Sequence, residues 1–312
     1  MVKTRAAAQA ATKAEVAKAT KAKLADRAEQ APDSSRVTDA LRLPQGPVDL
    51  GLVDARGTPG FDGKKPDAER ERADLAGRLG DLQERLFAEG RTGGTRSLLL
   101  VLQGMDTSGK GGTVRHVIGQ MDPQGCAIRS FRAPTEQERK HDFLWRIKRA
   151  LPAPGLVGVF DRSHYEDVVV VRVHDLAPEA TWSRRYEAIN RFESQLVGSG
   201  TVVVKCFLHI SRGVSRDRLL ARLDDPTKRW KYRPGDVDER ARWDDYMAAY
   251  GDALARCNTD VAPWHLVPAD RKWYRNWAIT HLLVERFEAM ALTWPVADFD
   301  VEAERERVLA SP

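Results

Sequence analysis

Residues 100–117, LVLQGMDTSGKGGTVRHV, contain a stretch whose residue types and spacing suit phosphate binding. An apolar strand, a glycine-rich turn and a helix start would aim backbone N–H groups and the positive end of the helix at a phosphate, and Lys110 would add a mobile charge. In the usual phosphate loop the lysine is followed by a Ser or Thr whose hydroxyl holds magnesium. Gly111 occupies that position here, so a metal must be held differently.

Asp106 lies inside this stretch, two residues after Gly104. A carboxylate beside a bound phosphate is tolerable only if a cation lies between them. We therefore predict that Asp106 replaces the missing hydroxyl as a magnesium contact. The alternative is a glycine-rich turn with a structural lysine, whose hydroxyls serve as turn or helix caps. The other residues of the predicted phosphate- and nucleotide-binding loop are Ser108, Gly109, Gly111, Gly112 and Thr113.

A second polar group follows the apolar run that ends at Asp161, in GLVGVFDRSHYEDVVVVRV over residues 155–173. A carboxylate at the carboxyl edge of a parallel sheet suits a second magnesium contact, although it could also cap a turn. Arg162 could bridge phosphoryl oxygens in a fork geometry. Glu166 and Arg172 crowd the same segment and are assigned to the phosphate and nucleotide site. The remaining polar side chains are interpreted as packing and hydrogen-bonding groups, namely His164 and Tyr165.

A basic cluster lies further along the chain. Residues 205–233 contain nine Lys or Arg and three Asp, whereas the whole chain carries a net charge of +5, of which +4 comes from residues 1–30. Arginines recur near helical spacing until Asp225–Pro226 ends the helix. Three acids cannot neutralise nine cations, which favours a charged, helical flap that binds a phosphate-rich ligand over a solvated helix face. We place this flap at about residues 211–236.

A third basic group, in PADRKWYRNWAITHLL, follows the last apolar run. Arg271, Lys272 and Arg275 stand at a helix start among aromatic residues that could frame a planar base or could belong to the core. These aromatic residues are Trp273, Tyr274 and Trp277.

Short apolar runs alternate with amphipathic stretches from residue 97 onward, which is typical of a parallel sheet with crossover helices. The five predicted strands cover residues 97–103, 126–131, 155–160, 201–210 and 264–269. Predicted helices cover a leucine-rich stretch that starts near residue 66 and ends at the glycines 90–94, a segment opened by a Thr135–Glu138 capping box, and residues 179–197, 235–257 and 271–292.

Composition narrows the class of protein. The hydrophobic fraction is 42%, enough for a substantial core, and the three cysteines match no disulfide framework or zinc site. No run of 18 apolar residues and no secretory signal occurs, so we predict a cytoplasmic protein that is not bound to membranes. Residues 1–35 are predicted to be a disordered, basic, Lys/Ala-rich tail, which could instead contact nucleic acid.

Three motifs taken together, GMDTSGKGG, DRSHYED and DDPTKRWKY, resemble the polyphosphate kinase 2 family. The resemblance spans about residues 50–290 and implies a fold similar to that of thymidylate kinase: a P-loop, three-layer α/β/α fold with a five-stranded parallel sheet and a helical lid. It implies an N-terminal extension with a helix over residues 36–95, a kinase domain over 96–295 and a C-terminal tail over 296–312. A dimer or tetramer is expected.

The resemblance also implies roles for individual residues. Asp106 and Asp161 would organise Mg²⁺, and Lys110 and Arg162 would grip the phosphates. The form of the second motif that carries Glu166 resembles that of members accepting nucleoside monophosphates as well as diphosphates. The lid cations would be Arg218, Arg222, Lys228 and Lys231.

The implied activity is reversible, Mg²⁺-dependent transfer of a phosphoryl group between inorganic polyphosphate and nucleotides. AMP, ADP or both would be the acceptors, and guanine nucleotides are left open. The alternatives are an ATP-dependent nucleoside monophosphate kinase, a polyanion or nucleic-acid binding module that depends on the basic tail, and a structural protein with a vestigial loop.

Overall fold

The computed structural model describes residues 36–312, so the predicted basic tail lies outside the described residues. Five parallel strands form one sheet in the order β2-β3-β1-β4-β5. They are β1 Ser97–Gln103, β2 Cys126–Ser130, β3 Val157–Asp161, β4 Thr201–His209 and β5 Trp264–Pro268. The predicted parallel sheet and its five strands are confirmed.

Eleven α-helices occur within residues 36–312. They are α1 Val37–Leu41, α2 Lys65–Arg91, α3 Lys110–His116, α4 Trp145–Lys148, α5 Glu166–Val173, α6 Glu179–Gly198, α7 Arg212–Asp224, α8 Gly235–Ala241, α9 Trp243–Arg256, α10 Lys272–Ala289 and α11 Val301–Ala310.

Two helix predictions need correction. The capping box forms, because Thr135 and Glu138 exchange backbone-to-side-chain hydrogen bonds of 2.9 and 3.2 Å, but only a 3₁₀ turn over Glu138–Lys140 follows it. The following residues, Glu-Arg-Lys-His-Asp, offer no apolar side chain that could bury a longer helix. The helix predicted over residues 235–257 is two helices, because Arg242 between them has a backbone conformation outside the helical region.

The sheet is covered on both faces, as the near-continuous apolar strands require. Successive side chains of a strand point to opposite faces. Leu98 and Leu100 accordingly pack in one cluster with α2 and α10, and Leu99 and Val101 pack in another with α5, α6 and α9. This arrangement confirms the predicted three-layer α/β/α architecture.

Residues outside the predicted kinase domain differ in how they join this body. Helix α2 buries Leu79, Leu82 and Leu86 in the same cluster as α10, so it forms part of one outer layer. The predicted C-terminal tail contains α11, which buries no side chain. Among residues 36–312, no helix combines the length and apolarity that crossing a bilayer requires.

Candidate active site

The candidate site lies at the carboxyl edge of the sheet, where β1 leads into the glycine-rich loop and β3 ends. Leu102 of β1 is the register partner of Asp161, and the backbone N–H of Arg162 donates to the Leu102 carbonyl at 3.1 Å. Because β1 and β3 are parallel neighbours, Asp161 and the loop meet at one edge. The structure thus brings the first two predicted motifs together.

Lys110 begins α3 and curls back into the loop. It is 7% exposed, and its Nζ donates to the carbonyls of Gly104 at 2.8 Å and Met105 at 3.3 Å. Burial and the nearby Arg162 lower the pKa of Lys110, while Asp106 and Asp161 oppose that shift. The ammonium is therefore held over the loop by two carbonyls that a phosphate could replace.

Asp106 and Arg162 form an ion pair, with 2.5 Å between Nη2 and Oδ1. Burial alone would raise the pKa of Asp106, but Lys110 and Arg162 outweigh it and hold this pKa below its usual value. Arg162 has a positive φ of 63°, which is uncommon outside glycine and turns its side chain toward the loop. Glu166 Oε2 lies 3.9 Å from Arg162 Nε. Two predicted phosphate-site carboxylates thus share one arginine.

Asp161 differs from Asp106 in its surroundings. Its half-buried side chain makes no hydrogen bond or ion pair with any residue from 36 to 312, although its charge acts on Lys110 and Arg162. A carboxylate that is near two cations but is not bonded to them is open to a further ligand.

The loop backbone is fitted against Arg275 of α10. Gly109 has a φ of 107°, and a Cβ added there would lie 1.7 Å from Arg275 Nη1. In contrast, a Cβ at Gly111 would meet no atom within 4 Å. The glycine requirement is therefore strict at Gly109 and absent at Gly111.

We expect Gly109→Ala to destabilise the protein by about 1–3 kcal/mol, because alanine would be strained at this φ and would displace a buried guanidinium. Gly111→Ala is the matched control and should leave stability unchanged or raise it by about 0.5–1 kcal/mol, since it lies in the first turn of α3. Urea unfolding of both variants checks this. Equal stability of the two variants would contradict the assigned loop geometry.

Arg218, one of the predicted lid cations, is turned toward the phosphate loop. Its Nη1 donates to the carbonyls of Thr107 and Ser108 at 2.8 and 3.3 Å, and its Nη2 donates to those of Ala269 and Asp270 at 2.7 and 2.9 Å. The hydroxyl of Thr107 also donates to Ser215 Oγ of α7 at 3.1 Å. Arg218 therefore ties the middle of α7 to the phosphate loop.

The other predicted lid cations also have partners. Arg222 donates to the Lys231 carbonyl and to Asp236, Lys228 pairs with Asp225 at 2.6 Å, and Lys231 lies over the Trp230 ring. The count of nine cations against three acids overstates the free charge of this segment. The count covered residues 205–233, so it left out Asp236. It also included Lys205, which is buried in β4.

Some residues that the sequence assigned to phosphate or base binding have other contacts in the structure. Arg172 pairs with Asp252 and lies over Trp182, so it is not part of the phosphate site. The buried Thr113 hydroxyl donates to the Gly109 carbonyl at 3.4 Å, as a helix-capping hydroxyl would. The aromatic residues of α10 do not frame a base, because Phe61 packs against two of them within the core, at ring-centroid distances of 5.9 and 4.6 Å from Trp273 and Trp277.

A cavity of about 670 Å³ opens from the phosphate loop. Its loop end is polar and includes Asp106, Arg162 and Glu166, and its far end includes the buried Arg146. Arg146 pairs with Asp167 at 3.5 Å, a contact that joins α4 to α5 and that the sequence analysis missed. The apolar walls are formed by Phe131, Phe143, Val170, Val171, Leu176 and Leu219.

A buried ionic network lies behind the second motif. Lys205 Nζ donates to Glu193 Oε2 at 2.6 Å, to the Tyr165 hydroxyl at 3.0 Å and to the Cys257 carbonyl at 2.7 Å. Glu193 also contacts His164 and the Tyr165 hydroxyl, at 3.2 and 2.8 Å. The prediction that His164 and Tyr165 pack and form hydrogen bonds is confirmed. A lysine inside the apolar run of β4 was the signal for this network.

We expect Glu193→Leu to cost about 3–5 kcal/mol of stability, because it leaves the buried Lys205 ammonium unpaired. Burial opposes ionisation of Glu193, but Lys205 and His164 outweigh it and lower its pKa, so the stabilisation is lost as the pH falls through that lowered value. Glu187→Leu on the same helix, at an exposed pair with Arg191, is the control and should cost about 0.5 kcal/mol. Chemical denaturation distinguishes them, and equal losses would contradict the prediction.

Comparison with known proteins accords with this geometry. A family model described as Polyphosphate kinase 2 (PPK2) matches residues 62–294. The chain belongs to the polyphosphate kinase 2 family. The matched region begins before the predicted kinase domain and includes α2, in agreement with the packing of α2 into the α/β/α body.

Individual members of the polyphosphate kinase 2 family are similar over most of the chain. The AMP/ADP-polyphosphate phosphotransferase of Meiothermus ruber is 46% identical over 252 residues, which cover 81% of this chain and 93% of that protein. The ADP-polyphosphate phosphotransferase of Rhodopseudomonas palustris is 40% identical over 271 residues, 83% and 92% of the two chains. The crystal structure of polyphosphate kinase 2 from Arthrobacter aurescens TC1 is 52% identical, superposes with a TM-score of 0.86, and the match covers 89% of this chain and 98% of that one.

Proposed function

We propose that this chain transfers a phosphoryl group reversibly between inorganic polyphosphate and both AMP and ADP, with Mg²⁺ as its metal. Transfer between polyphosphate and nucleotides follows from membership of the family and from relatives named for it. The use of both acceptors is supported by the name of the Meiothermus ruber relative. The observation that carries the proposal is a cavity that joins the phosphate loop to apolar walls able to take a base.

The carboxylates at the sheet edge fit a hard cation. No group of three or more His, Cys, Asp or Glu side chains within residues 36–312 is arranged to hold a metal alone. Mg²⁺ prefers oxygen ligands and is commonly bound by one or two carboxylates together with waters and substrate phosphates. A site of this kind does not need three or more ligands from the protein. Asp161, with Asp106 beside it, would hold the ion, and the bound ion would neutralise charge on the phosphoryl oxygens.

The chain's own residues account for positioning and charge stabilisation. Lys110 would exchange its loop carbonyls for phosphate oxygens. Arg162 would bind further phosphate oxygens. Charge spreads over the equatorial oxygens as a phosphoryl group is transferred, so two fixed cations beside it lower the barrier without a covalent intermediate. The same cations face the phosphoryl group in either direction, which accounts for reversibility.

The acceptor would lie along the cavity, with its phosphates at Arg162 and its base between the apolar walls. Arg222 lies close enough to Asp106 to lower the pKa of that carboxyl, so the lid reaches the phosphate site. This proximity supports a lid that covers the bound polyphosphate donor. Acceptance of guanine nucleotides, assembly as a dimer or tetramer, and a cytoplasmic location stay predictions.

A donor and acceptor assay tests the proposal. The purified chain is supplied with polyphosphate or ATP as the sole donor, and with AMP, ADP or GDP as acceptor, with Mg²⁺ or with EDTA. We expect ADP from AMP and ATP from ADP with polyphosphate, and loss of both products with EDTA. Product from AMP with ATP alone would favour a nucleoside monophosphate kinase. Deletion of residues 1–35 should leave the rates unchanged unless the basic tail is the functional part.

A further inference from the structure

A buried arginine lies behind the phosphate loop and lacks a carboxylate partner. Arg275, in the first turn of α10, is 2% exposed. Its Nη1 donates to the Ser108 carbonyl at 3.4 Å, and its Nε and Nη2 donate to Asn276 Oδ1 at 3.2 and 2.8 Å. No carboxylate within residues 36–312 forms an ion pair with it. Its hydrogen bonds within this part of the chain are therefore made only to neutral oxygens.

A buried cation without a counter-charge is costly. Burial lowers the pKa of Arg275 to about 10, and the neighbouring Arg218 acts in the same direction. Arg218 also forms no ion pair with a residue from 36 to 312, and it shares the Ser108 carbonyl with Arg275. The loop carboxylate, Asp106, already faces Lys110, Arg162 and Arg222. Asp270 opposes the effect of burial on Arg218, whereas no carboxylate within residues 36–312 pairs with Arg275.

The loop is shaped around this guanidinium. A Cβ at Gly109 would lie 1.7 Å from Arg275 Nη1, and one at Gly112 would lie 2.9 Å from Nη2. Glycine at both positions lets the arginine approach the loop backbone closely, and Arg275 is not among the residues that line the cavity. Its place in the structure is therefore specific to the loop.

We propose that Arg275 is a positioning residue that fixes the Ser108–Gly109 backbone from behind and whose buried charge is balanced by the phosphoryl groups of the bound substrate. It contacts the loop and not the substrate. This inference rests on the proposed function only in taking polyphosphate as the anion.

Two substitutions separate the charge from the hydrogen bonds. Arg275→Gln keeps a donor for Ser108 and removes the charge, and Arg275→Lys keeps the charge and removes the fork. Arg286→Gln is the control, since Arg286 lies on the same helix about 16 Å away and is partly buried. It contacts His265 at 3.1 Å and forms no ion pair with a carboxylate of the described residues.

The experiment is thermal unfolding of the full chain without ligand, with polyphosphate and with inorganic pyrophosphate, at low and high salt and without nucleotide. We expect Arg275→Gln to unfold at or above the parent temperature without ligand and to lose at least half of the polyphosphate-induced shift. In a separate kinetic assay with ADP as acceptor, its KM for polyphosphate should rise about tenfold. Arg275→Lys and Arg286→Gln should retain the parent's ligand-induced shift.

A parent-like shift and KM in Arg275→Gln would overturn the inference, as would equal losses in the Gln and Lys variants, which would assign the effect to shape. If Arg275→Gln does not fold, loss of the shift in Arg275→Lys overturns it, and retention supports it. A parent protein that responds to pyrophosphate and not to polyphosphate would contradict the proposed function instead. In that case, the pyrophosphate-induced shifts in unfolding temperature of the variants test the role of Arg275.

Discussion

Lys110→Ala should lower kcat for ATP synthesis from polyphosphate and ADP by about 10²–10³-fold, because it removes a fixed cation from the place where charge is redistributed. The change should leave the fold intact. Among residues 36–312, its Nζ is bonded only to two loop carbonyls, and burial disfavours its charged form, so the ammonium contributes little to stability.

The measurement is steady-state kinetics beside a thermal unfolding curve. Lys65→Ala, at an exposed pair with Glu69 on α2, is the matched control and should match the parent in both. If Lys110→Ala kept the parent rate, Lys110 would be a structural residue of the turn, which is the alternative that the sequence left open.

Asp161→Asn should have a comparable effect on kcat, about 10²–10³-fold, by a different route. The amide has the same shape as the carboxylate, and Asp161 has no bonded partner to lose within the described part of the chain. What it loses is the negative charge opposite Lys110 and Arg162. We therefore also expect the Mg²⁺ concentration that gives half-maximal rate to rise.

Titrating Mg²⁺ at saturating substrates distinguishes this role from a purely structural one. Asp62→Asn, at an exposed position, is the control. Asp106→Asn is informative beside it, because it also frees Arg162 from its ion pair and should therefore change the KM for phosphate donors. An Asp161→Asn variant with the parent's Mg²⁺ dependence would rule Asp161 out as a metal contact.

Much of this site is predictable because it depends on local order. Apolar runs set the strands, parallel strands share their carboxyl edge, and so Lys110 and Asp161 had to meet. The phosphate loop follows from an apolar strand, a glycine-rich turn and a helix start that come one after another. These inferences need only the pattern of a segment and the direction of its neighbours.

The rest depends on tertiary contacts that no local pattern specifies. Asp106 turns to Arg162, 56 residues away, and Arg218 turns inward to four carbonyls that belong to two separate loops. The aromatic residues of α10 looked available to a base because their partner, Phe61, comes from an irregular stretch. A capping box at Thr135 fixed one turn but could not supply an apolar face for a helix.

The packing of α2 against α10 has a consequence for how the chain folds. The two helices are separated by about two thirds of the sequence. Helix α1 is also joined to α10, because the backbone N–H groups of Val37 and Thr38 donate to Glu285, 248 and 247 residues away. The part of the sheet face that α10 covers therefore stays exposed during synthesis until α10 has left the ribosome. Contacts of such high sequence separation slow folding and expose apolar surface meanwhile. We expect nascent chains that stop before α10 to be held by chaperones and those that include it to be released.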